Sequence, residues 1–157
     1  MDKSKTCCFT GHRKLPRERI EQIMKSLDRE VERLIGQGVK NFISGGALGF
    51  DQMAASLIVA KKEMGQDICL IFVLPCKNQD KFWNEAQKGL YHDLLAEADE
   101  LIYVSEEYSS NCMIKRNRYM VDRSAYCLCA LLYPYSGTGQ TVRYAQMRGL
   151  KIINVAE

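Results

Sequence analysis

Apolar runs and helix-forming segments alternate along the whole chain, and only short polar connections separate them. Residues 68–74 (ICLIFVL) form a continuous apolar run that ends at a proline, which is typical of a strand covered by helices on both faces. Residues 16–35 carry the strongest helical period, and Gly36 and Gly38 follow it. The alternation predicts one α/β domain over residues 1–157, with a doubly wound, mostly parallel sheet and helices on both faces.

Six strands and five helices are predicted, and each helix lies between two strands. The predicted strands are residues 6–10, 39–43, 68–74, 100–104, 126–132 and 151–155. The predicted helices are residues 16–35, 50–64, 79–96, 112–124 and 140–148.

Composition places the chain among ordinary soluble proteins. Apolar residues make up 46% and charged residues 26% of the 157 residues, and no apolar run approaches the ~20 residues that span a bilayer. Residues 1–5 lead into a strand rather than a signal-peptide core, so we expect a cytoplasmic location and no membrane association. The net charge is +3 with both signs interleaved, which is unlike the basic stripe of a nucleic-acid binder.

Seven cysteines are present, but no CxxC pair occurs among them. Cys7 and Cys8 are adjacent on a predicted strand, so we expect their side chains on opposite faces of the sheet. The two histidines, His12 and His92, lack the spacing of metal ligands. We therefore expect reduced thiols and no metal site.

A glycine-rich segment at residues 44–51 (SGGALGFD) joins the second predicted strand to a helix. Glycines at such a junction let a phosphate approach backbone N–H groups at the positive end of the helix dipole. No Lys-Ser/Thr pair follows them, which excludes a P-loop, and the spacing departs from GxGxxG. Asp51 either caps the helix or accepts hydrogen bonds from ribose hydroxyls.

Two further polar turns, residues 10–13 and 136–141, also follow predicted strands. In the first turn, Arg13 is either a planar donor for phosphate or carboxylate, or a surface side chain beside a structural glycine. The second turn is either an anion cradle or a capped junction between strand and helix. Because the carboxyl ends of parallel strands share one edge of a sheet, all three turns are expected to lie on that edge.

The helix at residues 112–124 is unusually polar. Asn117, Met120, Val121 and Ser124 share one face, and the polar members of that face need hydrogen-bond partners in the protein or in a ligand. Taken together, these patterns predict binding of a phosphate-bearing ligand across the rim. The predicted ligand-binding residues are Gly11, His12, Arg13, Ser44, Gly45, Gly46, Gly49, Asp51, Asn117, Gly137, Thr138, Gly139 and Thr141. No catalytic residue is assigned, and no cofactor is expected beyond a bound nucleotide.

The order and spacing of these motifs resemble the YpsA-like family of the SLOG superfamily, which is related to the LOG and DprA/SMF proteins. The resemblance rests on residues 9–13, 44–51 and 117–124, on Pro75, Gln79 and Trp83, and on Gly137 and Thr138. It implies a Rossmann-like fold, a homodimer, and a sensing or regulatory role with a nucleotide-derived ligand such as ADP-ribose or NAD.

Two other functions follow from neighbouring branches of the superfamily. LOG phosphoribohydrolases cleave the N-glycosidic bond of nucleoside 5′-monophosphates, and their motif ends in Gly-Thr with a catalytic Glu three residues later. In this chain Thr141 stands at that position and offers no carboxylate. Glu106 or Asp51 would have to replace it. Binding of single-stranded DNA, as in DprA, is a third alternative that the modest charge disfavours.

Overall fold

The computed structural model describes all residues from 1 to 157, and all six of their strands belong to one sheet. The strands are β1 (Thr6–Gly11), β2 (Asn41–Ser44), β3 (Cys69–Leu74), β4 (Glu100–Tyr103), β5 (Tyr126–Ala130) and β6 (Lys151–Asn154). The helices are α1 (Arg17–Gly36), α2 (Phe50–Glu63), α3 (Glu85–Ala96), α4 (Cys112–Asp122) and α5 (Gly137–Met147), and a 3-10 turn (Lys3–Lys5) precedes β1. No helix combines the length and the apolar character that crossing a bilayer requires.

All six strands are parallel, in the order β4-β3-β2-β1-β5-β6, which confirms the doubly wound Rossmann-like fold. The chain builds outward from β1 to β4, then returns to place β5 on the other side of β1. At the carboxyl ends of β1 and β5 the connections leave in opposite directions. In open α/β sheets, ligands bind in the crevice at such a switch point.

The sheet is covered by different helices on its two faces. Buried side chains of α1, α2 and α3 pack with Cys7 and Phe9 on one face. Buried side chains of α4 and α5 pack with Cys8 on the other, so the two adjacent thiols do point to opposite faces as predicted. The two faces of β1 are therefore covered by two separate hydrophobic cores.

Helix boundaries differ from the predicted ones where a side chain caps the first turn. The helix predicted from residue 79 begins at Glu85, because Asn84 and Gln87 form a reciprocal capping box with hydrogen bonds of 2.8 and 3.0 Å. The helix predicted from residue 140 begins at Gly137, because Ser136 caps it by accepting from the Gly139 amide at 3.0 Å. This second shift places the start of α5 at the switch point.

Candidate functional site

A pocket of about 270 Å³ opens at the carboxyl edge of the sheet, between β1 and β5. All three of the turns singled out in the sequence contribute to it, together with the first half of α4. Its lining residues are Thr10, Gly11, His12, Arg13, Ala47, Asp51, Met113, Arg116, Asn117, Ser136, Gly137 and Thr138. We call this the switch-point pocket.

The structure gathers part of the predicted binding set in this pocket and leaves part of it outside. The predicted residues that line the pocket are Gly11, His12, Arg13, Asp51, Asn117, Gly137 and Thr138. The predicted residues outside its lining are Ser44, Gly45, Gly46, Gly49, Gly139 and Thr141. Thr141 faces a neighbouring cavity instead, and Gly49 borders a groove on the α2 side.

The amino terminus of α5 supplies unpaired backbone donors. Ser136 holds the first turn closed, because its hydroxyl accepts from the Gly139 amide and donates to the Tyr133 carbonyl at 2.6 Å. The amides of Gly137 and Thr138 donate to no group of the protein, and both residues line the pocket. Free N–H groups at the positive end of a helix form an anion-binding site.

The polar groups of the turn between β2 and α2 are largely used within the turn itself. The Ser44 hydroxyl donates to the Asp51 carbonyl at 2.8 Å and accepts from the Gly46 amide at 3.2 Å. The Gly46 carbonyl accepts from the side chain of Gln52 at 3.1 Å. This turn therefore acts mainly as a rigid support that presents Ala47 and Asp51 to the pocket.

Close packing against the first turn explains two glycines. Gly49 has φ +86, and a side chain there would overlap the backbone carbonyl of Arg13. The adjacent Phe50 amide donates to the His12 carbonyl at 3.2 Å. A side chain at Gly11 would overlap the Phe50 ring. The two turns thus meet backbone to backbone, and this contact fixes His12 and Arg13 relative to α2.

Arg116 is a site residue that the sequence reasoning missed. Its side chain is buried on α4, where its Nη1 donates to the Gly45 carbonyl at 2.5 Å and its Nε donates to the Asn117 side-chain oxygen at 2.7 Å. Burial lowers its pKa, and the nearby Asp51 carboxylate opposes that shift. The available signal was periodicity, since Cys112, Arg116 and Met120 recur every four residues and form a buried stripe.

Asp51 is the single carboxylate that lines the pocket. Its side chain is buried, and burial raises its pKa to about 6, against the opposing effects of Arg116, the Ala47 amide and Arg13. Near neutral pH the group is therefore mostly ionised, and it becomes protonated in mild acid. Asp51 is thus a carboxyl group in the pocket whose pKa lies close to physiological pH.

His12 holds the loop between β5 and α5 in place. Its Nε2 accepts from the Leu132 amide at 3.0 Å and from the Tyr133 amide at 3.2 Å, so the imidazole is neutral with its proton on Nδ1. Burial lowers the pKa of this ring below its usual 6.5. The same loop continues into Ser136 and Gly137, and His12 thereby positions the amino terminus of α5.

The neutral state of His12 predicts a pH-dependent contribution to stability. The unfolded chain binds a proton at the usual pKa of 6.5, whereas the folded chain resists protonation to lower pH. The stabilisation by His12 is therefore complete above pH 6.5 and is lost as pH falls through the lower folded pKa. We expect His12→Leu to cost about 1–3 kcal/mol at pH 7.5, because two amides lose their acceptor.

Urea unfolding of the wild type and His12→Leu between pH 7.5 and 5 measures this contribution. The difference in free energy of unfolding should shrink as the pH is lowered, while the titration of Asp51 is common to both proteins and cancels. A difference that stays constant over this range would contradict the assignment of His12 as a neutral acceptor.

Comparison with known proteins places the sequence in a family. A family model described as "YspA SLOG family" matches residues 7–149. The SPbeta prophage-derived protein YoqJ of Bacillus subtilis is 37% identical over 129 residues, which cover 74% of this chain and 75% of YoqJ. The UPF0398 protein BH1768 of Halalkalibacterium halodurans is 28% identical over 130 residues, which cover 82% of this chain and 68% of that protein.

Solved structures of DNA processing protein A (DprA) share the fold. The Streptococcus pneumoniae protein has a TM-score of 0.71 at 18% identity, and the match covers 96% of this chain and 50% of that one. The Helicobacter pylori protein has a TM-score of 0.69 at 19% identity, covering 96% of this chain and 65% of that one. The chain thus spans half and just under two thirds of these two proteins.

Proposed function

The chain belongs to the YspA SLOG family, and on this premise we propose that it binds a phosphate-bearing, nucleotide-derived ligand in the switch-point pocket and serves a regulatory role. One observation carries the proposal: the unpaired amides of Gly137 and Thr138 line the same pocket as the guanidinium groups of Arg13 and Arg116. Backbone donors at a helix start and planar cationic donors are the two protein groups best suited to phosphate.

The two arginines have different roles in this proposal. Arg116 is buried and already committed to Gly45 and Asn117, so it supplies fixed positive charge. Arg13 is exposed and forms no hydrogen bond or ion pair with the protein, so its guanidinium is available to a ligand. ADP-ribose, NAD and nucleoside monophosphates are the ligands we propose to test, and the homodimer implied by the family resemblance stays a prediction.

Removal of the Arg13 guanidinium should weaken ligand binding. We expect Arg13→Ala to reduce the affinity for the best ligand among AMP, ADP-ribose and NAD about tenfold, the effect of losing one charge-assisted hydrogen bond. Arg29→Ala is the matched control, because Arg29 is exposed on α1 and lies outside the pocket. Isothermal titration calorimetry makes the comparison. Absence of wild-type binding to all three ligands, or equal affinities for the two variants, would sink the proposal.

The raised pKa of Asp51 predicts that binding depends on pH. Ionised Asp51 repels a phosphate in the same pocket, and protonation near pH 6 removes that charge. NAD and ADP-ribose suit the test, because their diphosphate charge is constant over this range. Their affinity should rise up to about tenfold between pH 7.5 and 5.5, which corresponds to roughly 1.4 kcal/mol. His12 also lines the pocket and gains a proton as the pH falls, so Asp51→Asn should reduce this dependence without removing it. An unchanged pH profile in that variant would refute the role of Asp51.

The LOG-like hydrolase is the second candidate, and Asp51 is the observation that favours it. A carboxyl group with a pKa of about 6 in the pocket has the proton affinity of a general acid. Glycosidases ordinarily use two carboxylates, however, and neither Thr141 nor Glu106 supplies the pocket with a second one. Thr141 donates to the Gly137 carbonyl at 3.1 Å, while Glu106 is exposed and pairs with Lys77 at 3.2 Å.

Release of free base separates hydrolysis from binding. We expect no base from nucleoside 5′-monophosphates incubated with the protein at high concentration, measured by chromatography. Turnover that disappears in Asp51→Asn would establish the hydrolase instead.

The H. pylori DprA structure concerns single-stranded DNA binding. A single-stranded oligonucleotide that binds with steep salt dependence, and competes with NAD, would favour that ligand class for this chain.

A further inference from the structure

A second cavity of about 400 Å³ lies between α4 and α5, next to the switch-point pocket. Asn117 lines both spaces, so they adjoin at this side chain. The α4–α5 cavity also contains Thr141, which the sequence assigned to the ligand site and which the switch-point pocket does not include. The two spaces therefore adjoin, and the α4–α5 cavity extends from the switch-point pocket along α5 as far as Met147.

We propose that the α4–α5 cavity is the base-binding subsite, in which the nucleobase of the ligand lies while its phosphate occupies the switch-point pocket. This inference rests on the proposed function and extends it from a phosphate site to the position of the base. The size of the switch-point pocket is the first reason. At about 270 Å³ it lies near the lower end of the range for small-molecule sites, and the adjoining cavity adds about 400 Å³ of space for the rest of a nucleotide.

The walls of the cavity suit a flat aromatic ring. The Tyr144 ring is held in place, because its hydroxyl donates to an Asp122 carboxylate oxygen at 2.7 Å and the Arg118 guanidinium lies 5.1 Å from its centroid. Ile114 and Met147 add apolar surface and are 37% and 80% exposed. A base placed here would cover exposed apolar surface and contact a preordered aromatic side chain.

Unpaired amide groups at the edge of the cavity are suited to reading the base. The side-chain oxygen of Asn117 accepts a hydrogen bond from Arg116 Nε. The NH₂ group of the same amide forms no hydrogen bond with the protein and is a free donor. The Gln140 side chain forms no hydrogen bond with the protein, and it lines the same cavity. Together these amides offer donors and an acceptor of the kind that base edges require.

Charge favours an anionic ligand over a second copy of the chain in this cavity. Arg118 and Arg143 both line it, and neither forms an ion pair. The one nearby carboxylate, Asp122, already accepts from Tyr144 and pairs with Arg148 at 3.2 Å. Two copies that meet through this face would bring unpaired arginines together, whereas a nucleotide brings negative charge to them.

Calorimetry with base-containing and base-free probes tests the assignment. The probes are AMP, ADP-ribose and NAD on one side and ribose 5-phosphate, which has no base, on the other. Tyr144→Ala should weaken binding of the base-containing probes about tenfold and change the affinity for ribose 5-phosphate less than twofold. Tyr144→Phe keeps the ring but loses the hydrogen bond to Asp122, so it should weaken the base-containing probes less than Tyr144→Ala does.

A second variant avoids any folding defect of Tyr144→Ala. Met147→Glu places a carboxylate at an 80% exposed position in the cavity, and it should weaken the base-containing probes selectively. Met64→Glu is its control, since Met64 is 86% exposed at the end of α2 and lies outside the cavity.

Three results would overturn the base subsite. These are unchanged affinities in both cavity variants, equal weakening of probes with and without a base, and a change in particle mass by analytical ultracentrifugation without a change in selectivity. The last result would identify the cavity as a contact between copies. If ribose 5-phosphate binding still depends on Arg13, the proposed function survives these failures. Absence of binding by every probe to the wild type would refute the proposed function and the subsite with it.

Discussion

The buried guanidinium of Arg116 joins α4 to the turn between β2 and α2, and the geometry of the site depends on this contact. A buried charge is tolerated only when hydrogen bonds and opposite charge replace its hydration. Here the Gly45 carbonyl, the Asn117 oxygen and the nearby Asp51 carboxylate do so. A side chain at Gly45 would overlap the guanidinium, which explains why the turn needs a glycine at that position.

This contact organises groups on both sides of it. Toward the sheet it braces the turn that carries Asp51, and toward solvent it orients the Asn117 amide. On the opposite wall, His12 orients the loop that begins α5 by accepting two backbone hydrogen bonds. Two buried side chains, neutral His12 and Arg116 with its compensated charge, thus hold the walls of the pocket that contains the free amides of Gly137 and Thr138. Little reorganisation is therefore needed when an anion enters.

Most of the fold was predictable because the hydrophobic pattern determines it. The buried run of β3 and the periodic α1 indicated a parallel α/β sheet, whereas the order of the strands was not predicted and comes from the structure. The two largest errors in helix boundaries were at the capped starts beside Asn84 and Ser136, because a cap depends on one side-chain hydrogen bond rather than on a repeated pattern.

The site was predictable to the extent that local sequence determines it. The turn at residues 10–13 and the start of α5 came from glycine next to polar residues, and both line the pocket. The glycines at residues 45, 46 and 49 gave the same signal, yet they lie outside the pocket and allow close packing. Sequence does not separate these uses, because the difference lies in what the neighbouring backbone contacts. Arg116 was missed for a similar reason. It is one of several arginines on α4, and only its four-residue spacing from the buried Cys112 and Met120 distinguishes it from the others in the sequence.

The hydrogen-bond pattern of the pocket favours holding an anion over moving a proton. The Nε2 atom of His12, a potential base, is already occupied by two backbone amides. Thr141, at the position of the LOG glutamate, donates to its own helix. The unpaired groups include the amides at the start of α5, the guanidinium of Arg13 and the Asn117 NH₂ group, and all of these only donate. Asp51 is the one carboxyl group of the pocket, and its ionised form near Arg116 balances the charge of that guanidinium. The free donors, together with one acid that lies near a buried cation, are the groups that the proposed phosphate ligand requires.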